Sequence, residues 1–257
     1  MSEMQANAVL AAREEHPGGH VVLRVAPRGW TLPDFEPGQF CQLGVPGVLD
    51  DKGRPVKRSY SLASAPGLDH LELYVKLVDD GVFTRRLWEV AVGDELWLDE
   101  TLRGHFTLEP VPADKDVVLV ATGTGLAPYI SMLRHYAGRD RWHRAVLVHG
   151  ARRVDELGYR TELLERAAGD RSFTYIPTVT REPADSGWAG LRGRVQGVFE
   201  GDAYERLVRA PLDPARCHVF LCGNPAMIDG MEGVLQKLGF QRHTKKQPGS
   251  LHFERWW

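Results

Sequence analysis

Three short stretches combine residue types that can do chemistry. In Thr122-Gly123-Thr124-Gly125, glycines alternate with threonines directly after an apolar, valine-rich run over residues 116–121. The apolar residues that follow, Leu126, Tyr129, Ile130 and Leu133, recur at helical spacing. A strand, a glycine turn and a helix present backbone N–H groups at a helix N-terminus, where a pyrophosphate sits in nucleotide-binding α/β units. Pro128 is harmless in a first helical turn, but it occupies the third glycine slot of Gly-x-Gly-x-x-Gly, so a plain strand-to-helix turn fits this stretch equally well. In Arg58-Ser59-Tyr60-Ser61, strand alternation puts Arg58 and Tyr60 on one face and the serines on the other. An arginine beside a ring and hydroxyls can hold a phosphate while the ring stacks on a flat cofactor; an exposed strand with a surface arginine has the same pattern. In Cys222-Gly223-Asn224-Pro225, a cysteine closes an apolar run before a glycine turn, and it reads equally as a small buried hydrophobe.

The elements that must position these residues fall into two halves. Strands are expected over residues 20–26, 40–45, 57–63, 71–77 and 95–98, with one short helix over 84–90. Many short strands separated by turns imply an antiparallel barrel, here six-stranded, over residues 1–112. From residue 113 to 257 the pattern changes to alternation: strands over 116–121, 145–149, 173–179 and 218–222, with helices over 126–136, 156–168 and 226–238. That order predicts a doubly wound parallel sheet, whose ligands bind beyond the strand C-termini. Arg152, Arg153, Arg181 and Arg194 all follow strand ends there. Guanidinium forks suit the 2′-phosphate that separates NADP from NAD, although each arginine singly also fits a solvated loop. An acidic residue would be expected in that place for NAD, and Glu182 adjoins Arg181.

Composition narrows the function classes. The chain has 257 residues, enough for two ordinary domains, and 43% of them are hydrophobic, enough for real cores. No apolar run approaches the roughly 20 residues of a membrane span. Residues 1–10 lack the basic start and apolar stretch of a signal peptide, so a soluble, cytoplasmic chain is expected. Cys217 and Cys222 enclose four residues, one gap of a plant-type iron–sulfur ligand set, but Cys41 lies far upstream and the set is incomplete. The ten histidines include no His-Glu-x-x-His, and no metal site is expected. Residues 1–112 carry 11 Lys and Arg against 17 Asp and Glu, whereas residues 113–257 carry 21 against 17. A more basic second half suits an anionic ligand, as ordinary scatter of surface charge also would.

Taken together and in this order, Arg58-Ser-Tyr-Ser, Thr122-Gly-Thr-Gly-Leu-Ala-Pro128 and Leu221-Cys-Gly-Asn-Pro-Ala-Met227 resemble the flavin, NADP-pyrophosphate and nicotinamide-side motifs of the ferredoxin/flavodoxin–NADP reductase family, bacterial type. The resemblance covers the chain from about residue 21 to the end. It implies an FAD domain over 1–112 and an NADP domain over 113–257. It implies that Arg58 holds the FAD pyrophosphate, that Ser59 belongs to the cofactor site, that Tyr60 stacks on the isoalloxazine and that Ser61 bonds near flavin N5. Leu73, Tyr74, Val75 and Lys76 would run along FAD, and Val82, Phe83 and Thr84 would open the helix receiving a cofactor phosphate; Phe83 stands where the family has a small residue. Thr122, Gly123, Thr124 and Gly125 would hold the NADP pyrophosphate, and Arg152, Arg181 and Arg194 the adenosine phosphate. Cys222, with Gly223 and Asn224, would align the nicotinamide ring.

The tail ends in Glu254-Arg255-Trp256-Trp257. Two tryptophans are costly to leave in water and should pack on protein or cofactor. By resemblance, Trp256 would cover the isoalloxazine, Trp257 would lie near the FAD adenine, and Glu254 would assist proton or electron movement. The implied reaction is hydride exchange between NADP(H) and FAD, followed by single-electron exchange with a separate ferredoxin or flavodoxin by a monomeric enzyme that binds no nucleic acid and does not insert into a membrane. Arg54, Lys57, Lys245, Lys246 and Arg255 could form a basic rim for such an acidic carrier. The alternative is an NAD(P)H-dependent flavoprotein reductase of the same superfamily that serves an oxygenase, free flavin or quinone.

Overall fold

The first hundred residues form strands β1 (Ala8–His16), β2 (His20–Pro27), β3 (Phe40–Leu49), β4 (Pro55–Ser61), β5 (Leu71–Lys76) and β6 (Glu95–Leu98). The structure, a computed structural model, describes residues 4–78 and 81–255. The six strands pair antiparallel in the order β4-β3-β6-β1-β2-β5. The two edges of that order meet: Leu62 and Leu73 form an antiparallel bridge, and Ala63 N–H donates to the Glu72 carbonyl at 2.8 Å. The sheet therefore curls around one apolar interior that includes Leu10, Leu23, Leu43, Leu73, Leu96 and Leu98. Helix α1 (Val82–Glu89) adds Phe83 and Leu87 to it.

Strand β1 is missing from the sequence expectation. Only its start alternates cleanly, with Ala8 and Leu10 buried; the charged Arg13-Glu14-Glu15 that follows hides the rest. Gly18 and Gly19, both at positive φ, make the turn between β1 and β2.

The second set of strands is β7 (Asp116–Thr122), β8 (Arg144–Ala151), β9 (Phe173–Val179), β10 (Leu191–Arg192), β11 (Cys217–Cys222) and β12 (Leu251–Glu254). They form one parallel sheet in the order β10-β9-β8-β7-β11-β12. Val117 to Ala121 are buried without interruption, as in a strand covered on both faces. Helices α2 (Ala127–His135), α3 (Arg160–Gly169), α4 (Ala203–Val208) and α5 (Pro225–Lys237) complete the alternation. Two-residue β10, four-residue β12 and six-residue α4 are too short to show a period, and the sequence expectation lacks all three. The helix expected from residue 156 begins at Arg160, after a separate 3-10 turn at Val154–Glu156.

The chain divides into two compact units that are not cut at one point. One contains Met1–Leu108 and Ala127–Ala137, the other Glu109–Leu126 and Gly138–Trp257. Helix α2 groups with the barrel strands, and two of its polar residues are tied to that unit. Ser131 Oγ donates to the Ser64 carbonyl at 2.6 Å, and the Arg134 guanidinium reaches the buried Glu72 carboxylate at 2.7 Å. Among the described residues no helix is long and apolar enough to cross a membrane.

Candidate functional site

The parallel sheet starts at β7, steps outward to β10 and returns to β11 on the other side of β7. Its switch point lies between β7 and β11, where the two glycine turns leave the sheet. Those turns interlock. Asn224 N–H donates to Thr122 Oγ1 at 3.0 Å. A Cβ on Gly125 would run into the Cys222 carbonyl, and one on Gly223, whose φ is +140°, would run into Thr122. Backbone at both positions must approach closer than any side chain permits. Residues Gly123–Leu126 form a 3-10 turn rather than the first turn of α2. Asn224 caps α5, accepting from Ala226 N–H at 2.9 Å, with Pro225 in the first turn.

Cys222 closes β11 and is buried. Parallel register places Glu254 of β12 directly beside it. Burial, and then the Glu254 charge, push the Cys222 thiol well above its ordinary value, so it is neutral and not a nucleophilic thiolate.

The arginine edge lies at the other side of the same sheet. Arg152, Arg181 and Arg194 follow β8, β9 and β10, and all three are exposed. Arg181 N–H donates to the Arg152 carbonyl at 2.7 Å, which sets the first two side by side. None of the three guanidinium groups has a side-chain partner among the described residues. Their neighbours are occupied: Arg153 pairs with Asp155 at 3.5 Å, and Arg192 donates to the Glu182 and Pro183 carbonyls at 2.6 and 3.1 Å. Glu182, the residue that suited an NAD ribose, is also engaged. Its carboxylate accepts from Val154 N–H at 2.8 Å, and that bond holds its pKa below the ordinary carboxylate value.

In the first unit, Arg58 is exposed and donates to the neighbouring Lys57 carbonyl at 2.9 Å. Tyr60 packs its half-buried ring on the core, 6.4 Å from the Phe83 ring; burial pushes its phenol up, so it stays neutral. Ser59 and Ser61 are half-buried in the same strand. Leu73 and Val75 face the core, while Tyr74, on the other face, stacks on His20 at 5.3 Å. Lys76 donates to the Gly18 carbonyl at 3.1 Å. Val82 is 65% exposed at the start of α1, and Thr84 ties the preceding turn by bonding the Val78 carbonyl at 3.1 Å. Phe83 is a core residue, so only its backbone is presented at the helix start. Trp256 and Trp257 lie outside the described residues.

Residues 119–233 match the model of the oxidoreductase NAD-binding domain family. The ferredoxin–NADP reductase A of Sorangium cellulosum is 33% identical over 230 residues, covering 86% of this chain and 80% of that protein. The chain belongs to the bacterial ferredoxin/flavodoxin–NADP reductase family. The flavodoxin/ferredoxin–NADP reductase of Escherichia coli is 32% identical over 224 residues, covering 87% of this chain and 88% of its own. A crystal structure of a ferredoxin NADP+ reductase from Neisseria gonorrhoeae with bound FAD and NADP superposes with a TM-score of 0.85 at 27% identity, covering 99% of both chains.

Two of the five cations named for a basic rim are ion-paired within their own unit, and a third lies over an aromatic ring. Arg54 pairs with Asp50 at 2.7 Å, and Arg255 pairs with Asp229 at 2.6 Å. Lys57 sits over the Trp97 ring at 3.5 Å. Two features were not read from the sequence: the Thr122–Asn224 interlock and the Glu182–Val154 bond. Both depend on which loops the sheet order brings together.

Proposed function

We propose that the protein is an FAD-dependent oxidoreductase that exchanges a hydride with NADP(H) and single electrons with a ferredoxin or flavodoxin, acting as a cytoplasmic monomer. The observation that carries the NADP reading is the row of three partnerless guanidinium groups at adjacent strand ends, beside a glutamate already spent on a backbone amide. A ligand with a 2′-phosphate matches that charge and fork geometry, and a bare ribose does not. The glycine interlock at the switch point fits a pyrophosphate in the same way, because the backbone of Gly125 and Gly223 stands where no Cβ fits.

When bound, FAD supplies the chemistry that converts a two-electron hydride donor into a one-electron donor. The chain's residues position and shield. In the first unit, Arg58 carries an exposed guanidinium for a phosphate, Tyr60 offers a neutral ring face, and Ser59 and Ser61 offer hydroxyls; Leu73 to Lys76 and the Val82-Phe83-Thr84 turn supply backbone and the Lys76 charge. In the second, Thr122 to Gly125 receive the pyrophosphate and Arg152, Arg181 and Arg194 the 2′-phosphate. Cys222, Gly223 and Asn224 form the edge against which the nicotinamide ring is aligned. A neutral Cys222 thiol does this by contact, with no proton to give up near neutral pH. Glu254, beside it in register, is the carboxylate available to move a proton, and Trp256 and Trp257 are assigned to FAD stacking.

The acceptor is tested by cytochrome c reduction with NADPH, with and without an added ferredoxin or flavodoxin. Reduction that depends on the small carrier supports the reading. Equal rates without it would overturn the carrier and favour a reductase for free flavin, quinone or an oxygenase.

A further inference from the structure

Glu182 joins the three loops that carry the arginine row. Its carboxylate accepts from Val154 N–H at 2.8 Å, which pins the loop after β8 just beyond Arg152 and Arg153. Its own carbonyl accepts from Arg192 at 2.6 Å, which pins the short β10 segment two residues before Arg194. Its neighbour Arg181 bonds the Arg152 carbonyl at 2.7 Å. Arg152, Arg181 and Arg194 therefore share one brace. Backbone bonds from Thr180 N–H to the Ala151 carbonyl and from Gly193 N–H to the Val179 carbonyl align the strand ends, and the Glu182 carboxylate adds a side-chain tie to the loop beyond Arg153, against the mutual repulsion of three like charges. The carboxylate also stands near Arg153 and Arg192, and the Val154 bond leads the influences that keep it ionised.

We infer that Glu182 is a positioning residue that sets the spacing of the arginine row and thereby the preference for NADPH over NADH; this rests on the reading of Arg152, Arg181 and Arg194 as 2′-phosphate ligands. Glu182 touches no substrate in this role. It spends on Val154 N–H the carboxylate that would otherwise favour a ribose hydroxyl, and so ties the loop beyond Arg152 to the loop that carries Arg181.

The test compares steady-state kinetics of the FAD-loaded enzyme with NADPH and NADH, together with competitive inhibition by 2′-AMP and 5′-AMP. Five variants are needed: Glu182→Ala, Glu182→Gln, Val154→Pro, the combined Glu182→Ala and Val154→Pro, and Arg181→Ala. Val154→Pro removes the donor from the other side of the bond. It suits its place, since Val154 opens a 3-10 turn after Arg153, whose φ of −128° and ψ of 162° are extended. Loss of the bond should raise the NADPH KM and the 2′-AMP inhibition constant about fivefold, the scale of one lost helix cap. The kcat for NADPH, the NADH KM and 5′-AMP inhibition should stay within about twofold on the same scale. Glu182→Gln keeps an acceptor oxygen and should recover most of the affinity. Glu182→Ala and Val154→Pro should be non-additive when combined, because both break one interaction. Equal loss for NADPH and NADH, no loss in Glu182→Ala, or failure of Glu182→Gln to rescue would each overturn the inference. Arg181→Ala separates the two levels. If it leaves NADPH binding intact, the phosphate reading itself falls; if it weakens NADPH while Glu182→Ala does not, only the positioning role falls.

Discussion

Acid should loosen the second unit through a pair of histidines. His218 of β11 and His252 of β12 face each other across the parallel pair, with Nδ1 and Nε2 2.9 Å apart. One nitrogen must donate and the other accept, so this contact exists only while the facing nitrogens share a single proton. His252 is also stacked between Phe220 at 4.2 Å and His243 at 4.8 Å. Burial first, then neighbouring His243 and Lys115, pull His218 down to about 4; burial first, then His218 and His243, pull His252 down to about 3. Both folded values lie below the unfolded value of about 6.5. The unfolded chain therefore binds more protons in this window, and stability present above about pH 6.5 is lost as pH falls toward 4. At pH 5 the linkage amounts to about 2 kcal/mol for a fully buried ring; discounting the half-buried His218 leaves about 3 kcal/mol for the pair. For a unit of this size that is about 6–12 °C in Tm. The assay is thermal melting of wild type and His252→Phe at pH 7.5 and 5.0. The aromatic replacement keeps a ring beside Phe220 but removes the titrating partner. Wild type should lose about 4–8 °C beyond the loss seen in the variant, the His252 share of about 2 kcal/mol, because His218 still titrates there. Identical pH slopes for the two proteins would refute the reasoning.

Two further perturbations separate the units. Gly223→Ala places a methyl against Thr122 at φ +140°, so about 3 kcal/mol of strain and overpacking should lower the Tm and abolish rapid reduction by NADPH, while FAD stays bound; an unchanged Tm and reduction rate would show that the interlock is loose. Arg58→Ala should weaken FAD binding about 10- to 100-fold, the loss of charge-assisted bonds to a phosphate, as read by fluorescence titration of the apoprotein; full retention of FAD would remove Arg58 from the site.

Much of this architecture is legible in the chain. Strand β9 and strand β6 have the expected bounds because each sits between turn signals and is rich in β-branched, aromatic or leucine residues, even though β9 carries Pro177. The second-half alternation gives the parallel sheet, and its strand ends give the arginine row. What the sequence hides is short or charged. Strand β1 carries Arg13, Glu14 and Glu15 on a strand whose far end is largely solvated, so its apolar period fades after Leu10. Strand β12 is four residues long and owes its place to pairing with β11, a contact between residues far apart in sequence. The same pairing makes neighbours of Cys222 and Glu254, which local pattern does not encode. Glu182 illustrates the converse: its position beside Arg181 is plain in the sequence, but its role depends on Val154, 28 residues earlier, arriving at the adjacent strand end.

The most direct measurement is anaerobic stopped-flow absorbance of the purified protein mixed with NADPH and, separately, with NADH. The account predicts a yellow protein whose flavin absorbance bleaches rapidly with NADPH and far more slowly with NADH. Equal bleaching by both would contradict the arginine row as a 2′-phosphate site while leaving a flavoenzyme. A colourless protein that takes up no added FAD would contradict the account as a whole.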